Sequence, residues 1–196
     1  MPIVAFGADI ALIVVDCQND FGDPNGSLYV NGGEAVIDRV NAAVAEAAAA
    51  NSPVFYTQDW HPEDTPHFAK DGGVWPVHCV AGTWGAEFHP NLTVNGPVVR
   101  KGSNGEDGYS GFTMRDPASG EETPTELEAM LRDAGVKQVV VTGLALDYCV
   151  MATALDAARL GFPASVPLEL TAAVNLNPND ADAAIAQLHA AGVEVG

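Results

Sequence analysis

Short apolar runs rich in β-branched residues alternate along this chain with Ala-rich amphipathic stretches. Each early run stops at a polar side chain or a glycine turn. Ile10 to Val15 ends at Asp16, Ser52 to Thr57 leads into Asp59, Pro97 to Arg100 ends at Lys101, and Lys137 to Thr142 ends at the turn from Gly143 to Asp147. Ile10 to Val15, short and apolar throughout, reads as a parallel strand buried on both faces, and the other three runs read as further strands. Phe162 to Leu170 is a further strand, and Pro163 and Pro167 put it near a sheet edge. Val193 to Val195 closes the set.

Helical spacing fills the intervals. Val36, Ile37, Val40 and Val44 share one face of Gly32 to Ala50, and Thr123-Pro124-Thr125-Glu126 reads as a helix start with Leu127, Met130 and Leu131 facing inward. Tyr148 to Leu160 and Asp180 to Ala191 are the other helices. Strand and helix in alternation predict an α/β fold: three layers, α/β/α, around a mostly parallel sheet of about six strands with right-handed crossovers. A chain of 196 residues without an internal repeat or linker suits one domain over 1–196. Sites in such sheets lie beyond the carboxyl ends of the strands. Asp16, Asp59, Lys101 and the turn leading to Cys149 are therefore expected at one sheet edge.

Gln58 to Gly96 and Gly102 to Gly120 lack periodicity and are expected as loops; a structureless stretch as long as the first usually carries function. It crowds together Asp59, His61, His67, Trp75 and His78. Three imidazoles and a carboxylate supply the donors for zinc, iron or manganese; the bland alternative is a set of surface histidines. Cys149 falls where the first turn of a helix is expected, and amide groups there would lower a thiol pKa. An inert, buried cysteine remains open on position alone. Asp16 could serve such a thiol as base, with Lys101 beside it; each could equally be a solvated charge.

A net charge of −18 with 8 basic residues repels phosphate backbones and argues against nucleic acid. No run of about 20 apolar residues suggests a membrane span. The start, Met1 to Phe6, lacks a signal-peptide pattern, and three irregularly spaced cysteines (Cys17, Cys79, Cys149) suggest a reducing compartment, so the protein is expected in the cytoplasm. Whether it works alone or as a homo-oligomer is left open.

Five ordered blocks then carry a resemblance. They are Val15-Asp16-Cys17-Gln18-Asn19-Asp20-Phe21; Gln58-Asp59-Trp60-His61-Pro62 followed by His67-Phe68; Trp75-Pro76-Val77-His78-Cys79-Val80-Ala81-Gly82-Thr83; Lys101-Gly102 followed by Tyr109-Ser110-Gly111-Phe112; and Gly143-Leu144-Ala145-Leu146-Asp147-Tyr148-Cys149-Val150. From Ile10 to the C-terminus the chain resembles the nicotinamidases among the isochorismatase-like cysteine hydrolases, whose sheet is Rossmann-like. The resemblance implies a nucleophile at Cys149, a proton shuttle at Asp16 and the third catalytic group at Lys101. It implies one divalent metal on Asp59, His61, His67 and His78, and a cis peptide between Leu144 and Ala145 that brings the Ala145 and Cys149 N–H groups together as an oxyanion hole. Phe21 and Trp75, with Tyr109, would line the slot for nicotinamide. Leu146 departs from the Thr of many relatives, which bears on substrate preference and not on the reaction. Other readings are a related amidase acting on another small amide, a non-catalytic metal- or redox-sensing protein, and, fitting poorly, an isochorismatase.

Overall fold

The computed structural model describes residues 6–196, so the reading of the extreme N-terminus concerns residues mostly outside that range. Its elements are β1 (Ile10–Val15), α1 (Asn19–Gly22), α2 (Gly33–Ala49), β2 (Val54–Asp59), β3 (Val98–Lys101), β4 (Thr113–Arg115), β5 (Glu122–Pro124), α3 (Leu127–Asp133), β6 (Gln138–Leu144), α4 (Met151–Arg159), β7 (Ala164–Val166), β8 (Thr171–Ala172), α5 (Asp180–Ala190) and β9 (Glu194–Val195).

Seven strands form the main sheet in the order β3-β2-β1-β6-β7-β9, with β8 beside the end of β6, and every pairing in it is parallel. β1 shows why. Ala11, Ile13 and Val15 point to one face and pack with Leu127 and Leu131 of α3, Ala154 and Ala157 of α4 and Leu188 of α5. Leu12 and Val14 point to the other and pack with Val36, Ile37 and Val40 of α2. A strand needing apolar cover on both sides can lie only between two helical layers. The sheet is thus the middle of three layers, and no helix among the described residues is long and apolar enough to cross a membrane.

Four details depart from the sequence reading. The sheet has seven strands, because β8 is a two-residue strand too short to leave a pattern. The run from 162 to 170 holds only β7, flanked by Pro163 and Pro167, next to edge strand β9. Thr123 and Pro124 do not begin a helix: they belong to β5, which pairs antiparallel with β4 inside the supposed loop Gly102–Gly120. Helix α4 starts at Met151, and Leu146–Val150 is instead a wide π-type turn.

The strand ends are in register. Asp59 pairs with Lys101 across β2–β3, Val15 with Thr57, and Val15 with Gly143. Asp16, Asp59, Lys101 and the turn after Leu144 therefore emerge at one level. Gly143 has φ +102°, and a β carbon there would overlap the Val15 carbonyl, so only glycine lets β6 turn so tightly against β1.

Candidate active site

Lys101 is the centre of this edge. Its ammonium is fully buried, lies 2.8 Å from Asp16 Oδ2 and 3.6 Å from Cys149 Sγ, and also donates to Asp59 Oδ1 and the Gly108 carbonyl. Burying a lone ammonium costs several kcal/mol, and two carboxylates offset that cost here. Burial works against the charge, but Asp16 and Asp59 hold the Lys101 pKa well above its ordinary value.

One ammonium between two carboxylates drives them apart. Burial pushes Asp16 up to about 6; Lys101 pulls it back, the Asp59 charge adds to the rise, and Thr57 Oγ1 donates to its other oxygen at 2.7 Å. Burial would raise Asp59 too, but Lys101 and then His61 hold it well below the usual carboxylate range. Asp59 is thus fixed as an anion, while Asp16 titrates near neutrality, where a group can both take and return a proton.

The expected low-pKa thiol is not found. Burial pushes Cys149 well above the usual thiol value; Lys101 opposes this, and Asp16 and Asp59 reinforce it. Cys149 lies in the π-type turn Leu146–Val150 that runs straight into α4, and burial still outweighs the lysine beside it. The sulfur is therefore a thiol, and Asp16 is the group beside it that can take its proton: one oxygen of each of Asp16 and Asp59 and the Cys149 sulfur lie within 4.8 Å of one another.

The peptide Leu144–Ala145 is cis. The buried Ala145 N–H has no hydrogen-bond acceptor among the described residues, while the Ala145 carbonyl accepts from Tyr148 at 3.2 Å and Val150 at 3.0 Å. An unsatisfied buried donor beside the Cys149 sulfur can hold an oxyanion.

Next to this corner, one ring nitrogen from each of His61, His67 and His78 comes within 4.8 Å of the others, and all three residues are buried. Asp59 turns its second oxygen towards them, 3.6 Å from His61 Nε2 and 3.9 Å from His78 Nε2. Neither ring nitrogen of His61 has a hydrogen-bond partner, a costly state for a buried imidazole unless an ion takes one lone pair. The Nδ1 atoms of His67 and His78 are engaged by Asp107 Oδ1 at 2.6 Å and the Pro76 carbonyl at 2.7 Å, which leaves each Nε2 for coordination. Burial lowers the His67 pKa and pushes His78 down to about 4, so both are neutral, as ligands must be. These residues fit a divalent metal.

A small cavity of about 400 Å³, open solvent at its mouth included, ends at this double corner. Phe21, Trp75 and Tyr109 line it, together with Cys149, Ala145, Asp59, His67 and His78. Tyr109 OH accepts from Trp75 Nε1 at 2.8 Å, and Phe21 tilts against His78 with ring centroids 5.5 Å apart. Sequence reasoning overlooked Tyr148, which packs edge-on to Trp75 at 4.8 Å and also lines the cavity. Its place beside Cys149 was the available signal. It also overlooked Gln18, which accepts from the Asp59 N–H at 2.8 Å and donates to the Asp59 carbonyl at 2.8 Å, and Asp107, for which no local pattern existed.

A parallel sheet covered on both faces, with a cysteine, an acid and an amine at its strand ends, defines a cysteine-hydrolase class of α/β fold. Residues 10–196 match the isochorismatase domain, and the chain belongs to the isochorismatase family. It is 40% identical to a nicotinamidase/pyrazinamidase of Mycobacterium tuberculosis over 94% of this chain and 97% of that one. Among solved structures, it is similar to PnC1 from L. infantum in complex with nicotinate (38% identity, TM-score 0.88, 98% of this chain and 95% of that one). It is also similar to a pyrazinamidase of Pyrococcus horikoshii in complex with zinc (35% identity, TM-score 0.84, 96% and 98%).

Proposed function

We propose that this protein is a metal-containing cysteine amidohydrolase that converts nicotinamide to nicotinate and ammonia. The observation that carries the reading is the contact of one buried lysine with Asp16, Asp59 and Cys149 at the floor of an aromatic slot. The likeness to a nicotinate-bound structure and to nicotinamidases supports the substrate.

The pyridine ring enters between Phe21 and Trp75, near Tyr109 and Tyr148. Asp59, His61, His67 and His78 would hold the metal, which would supply a positive charge to orient the ring. Zinc is the species favoured by the likeness to the zinc-bound structure. Asp16 accepts the Cys149 proton as the sulfur bonds to the amide carbon. The carbonyl electron pair moves to oxygen, which the Ala145 and Cys149 N–H groups stabilise. Asp16 then protonates the departing nitrogen, the C–N bond breaks, and ammonia leaves a thioester. Asp16 next takes a proton from water, the hydroxyl adds to the thioester, and nicotinate leaves as the thiol is restored. Lys101 stays charged throughout and holds both carboxylates in place.

All three cysteines are free and buried, which suits a reducing compartment such as the cytoplasm. Burial raises each thiol pKa, and this counts against a redox-sensing role. Ammonia and nicotinate released from nicotinamide by the metal-loaded protein test the proposal. Lack of product, with release from another small amide, would transfer the reading to a related amidase.

A further inference from the structure

We propose that Asp107 is the positioning residue of the imidazole cluster: its carboxylate fixes His67 in the tautomer that presents Nε2 to a metal, and the β4–β5 hairpin holds that carboxylate in place. The inference rests on the metal-site reading above. It starts from a contact of 2.6 Å between Asp107 Oδ1 and His67 Nδ1, both largely buried. An ionised carboxylate only accepts, so Nδ1 must carry the proton and Nε2 the lone pair. His67 lies on the long loop after β2, with no strand to orient its ring, so the second nitrogen's bond decides where the first one points.

Asp107 is itself anchored. Its N–H donates to the Arg115 carbonyl at 2.7 Å, and the Arg115 N–H donates back at 3.2 Å. Arg115 pairs with Glu122 in the hairpin. The side-chain link from Arg115 to Asp107 Oδ2 is 3.4 Å long, and the Arg115 side chain is 54% exposed. Ion pairs of that kind contribute little, so the paired backbone does most of the holding. Thr65 completes the brace: its Oγ1 accepts from the His67 N–H at 3.1 Å and donates to the Gly105 carbonyl at 2.7 Å. A hairpin with no residue of its own at the imidazole cluster thereby sets the geometry of one ligand.

The test is zinc affinity, measured by competition with a chelator, in the full chain. Asp107→Ala is expected to weaken binding about 10- to 100-fold. Asp107→Asn, which still accepts from Nδ1, recovers part of that loss. Arg115→Ala changes affinity by less than about threefold. In a His67→Ala background, Asp107→Ala costs nothing further, because the two act as one unit. Should the alanine chain fail to fold, Asp107→Ser, too short to reach the ring, carries the same reading. Wild-type zinc affinity in Asp107→Ala or Asp107→Ser, or additive losses in the double variant, overturns the positioning role while leaving the metal site intact. A wild-type chain that takes up no zinc yet hydrolyses nicotinamide overturns the metal reading, and this one with it.

Discussion

The lysine corner and the imidazole corner lie side by side, but different forces hold them. Asp16, Asp59 and Lys101 sit at the ends of three adjacent parallel strands, where ladder register sets their relative heights. His61, His67 and His78 ride on the loop between β2 and β3. There, isolated bridges such as His61 with Val80 and Phe68 with Trp75, and side-chain bonds from Asp107 and Thr65, replace a sheet. Asp59 belongs to both corners: Oδ1 meets Lys101 and Oδ2 faces the imidazoles. The difference teaches that charge and register set the first corner, whereas loop bridges and side-chain hydrogen bonds arrange the second.

The largest expected effect lies in the first corner. Cys149→Ala should lower kcat by about 10³-fold or more, since a covalent route is lost; near-normal ammonia release would eliminate the nucleophile. Next, Lys101→Ala leaves two buried carboxylates facing each other and should cost about 3–5 kcal/mol in denaturant unfolding. An unchanged midpoint would show that the lysine is not the tie between the corners.

Removing the metal probes the second corner. Chelation should raise KM for nicotinamide about 10- to 100-fold, roughly 1.4–2.8 kcal/mol of lost orientation, with a smaller change in kcat. Thioester trapping by hydroxylamine that continued with unchanged substrate affinity would rule out the orienting role. The smallest effect is in pH. Below about 6 Asp16 is protonated and cannot take the thiol proton, so kcat/KM should fall about tenfold per pH unit there. A flat profile down to pH 4.5 would remove Asp16 as base. The same raised pKa runs the other way for stability: the Asp16 contribution is present below the unfolded value of 3.8 and is lost as pH rises through about 6. The proposed base is thus kept ionised at a cost to the fold.

Sequence alone determined the parallel sheet and which residues stand at its ends. The runs that stop at Asp16 and Asp59 bury both faces and the shorter one that stops at Lys101 buries one, yet all three deliver those groups to one edge, and this is a local pattern. The three imidazoles were legible in the same way, from residue type and spacing. Tertiary structure decided what proximity and burial control. It put one ammonium between Asp16 and Asp59, raised the Cys149 thiol where a helix start had suggested the reverse, and brought Asp107, 40 positions away, onto His67. It also folded Thr123 and Pro124 into a hairpin whose facing residues, Met114 and Thr113, lie nine and eleven positions earlier. Electrostatic shifts and non-local hydrogen bonds depend on distances through space, and no periodicity along the chain encodes those.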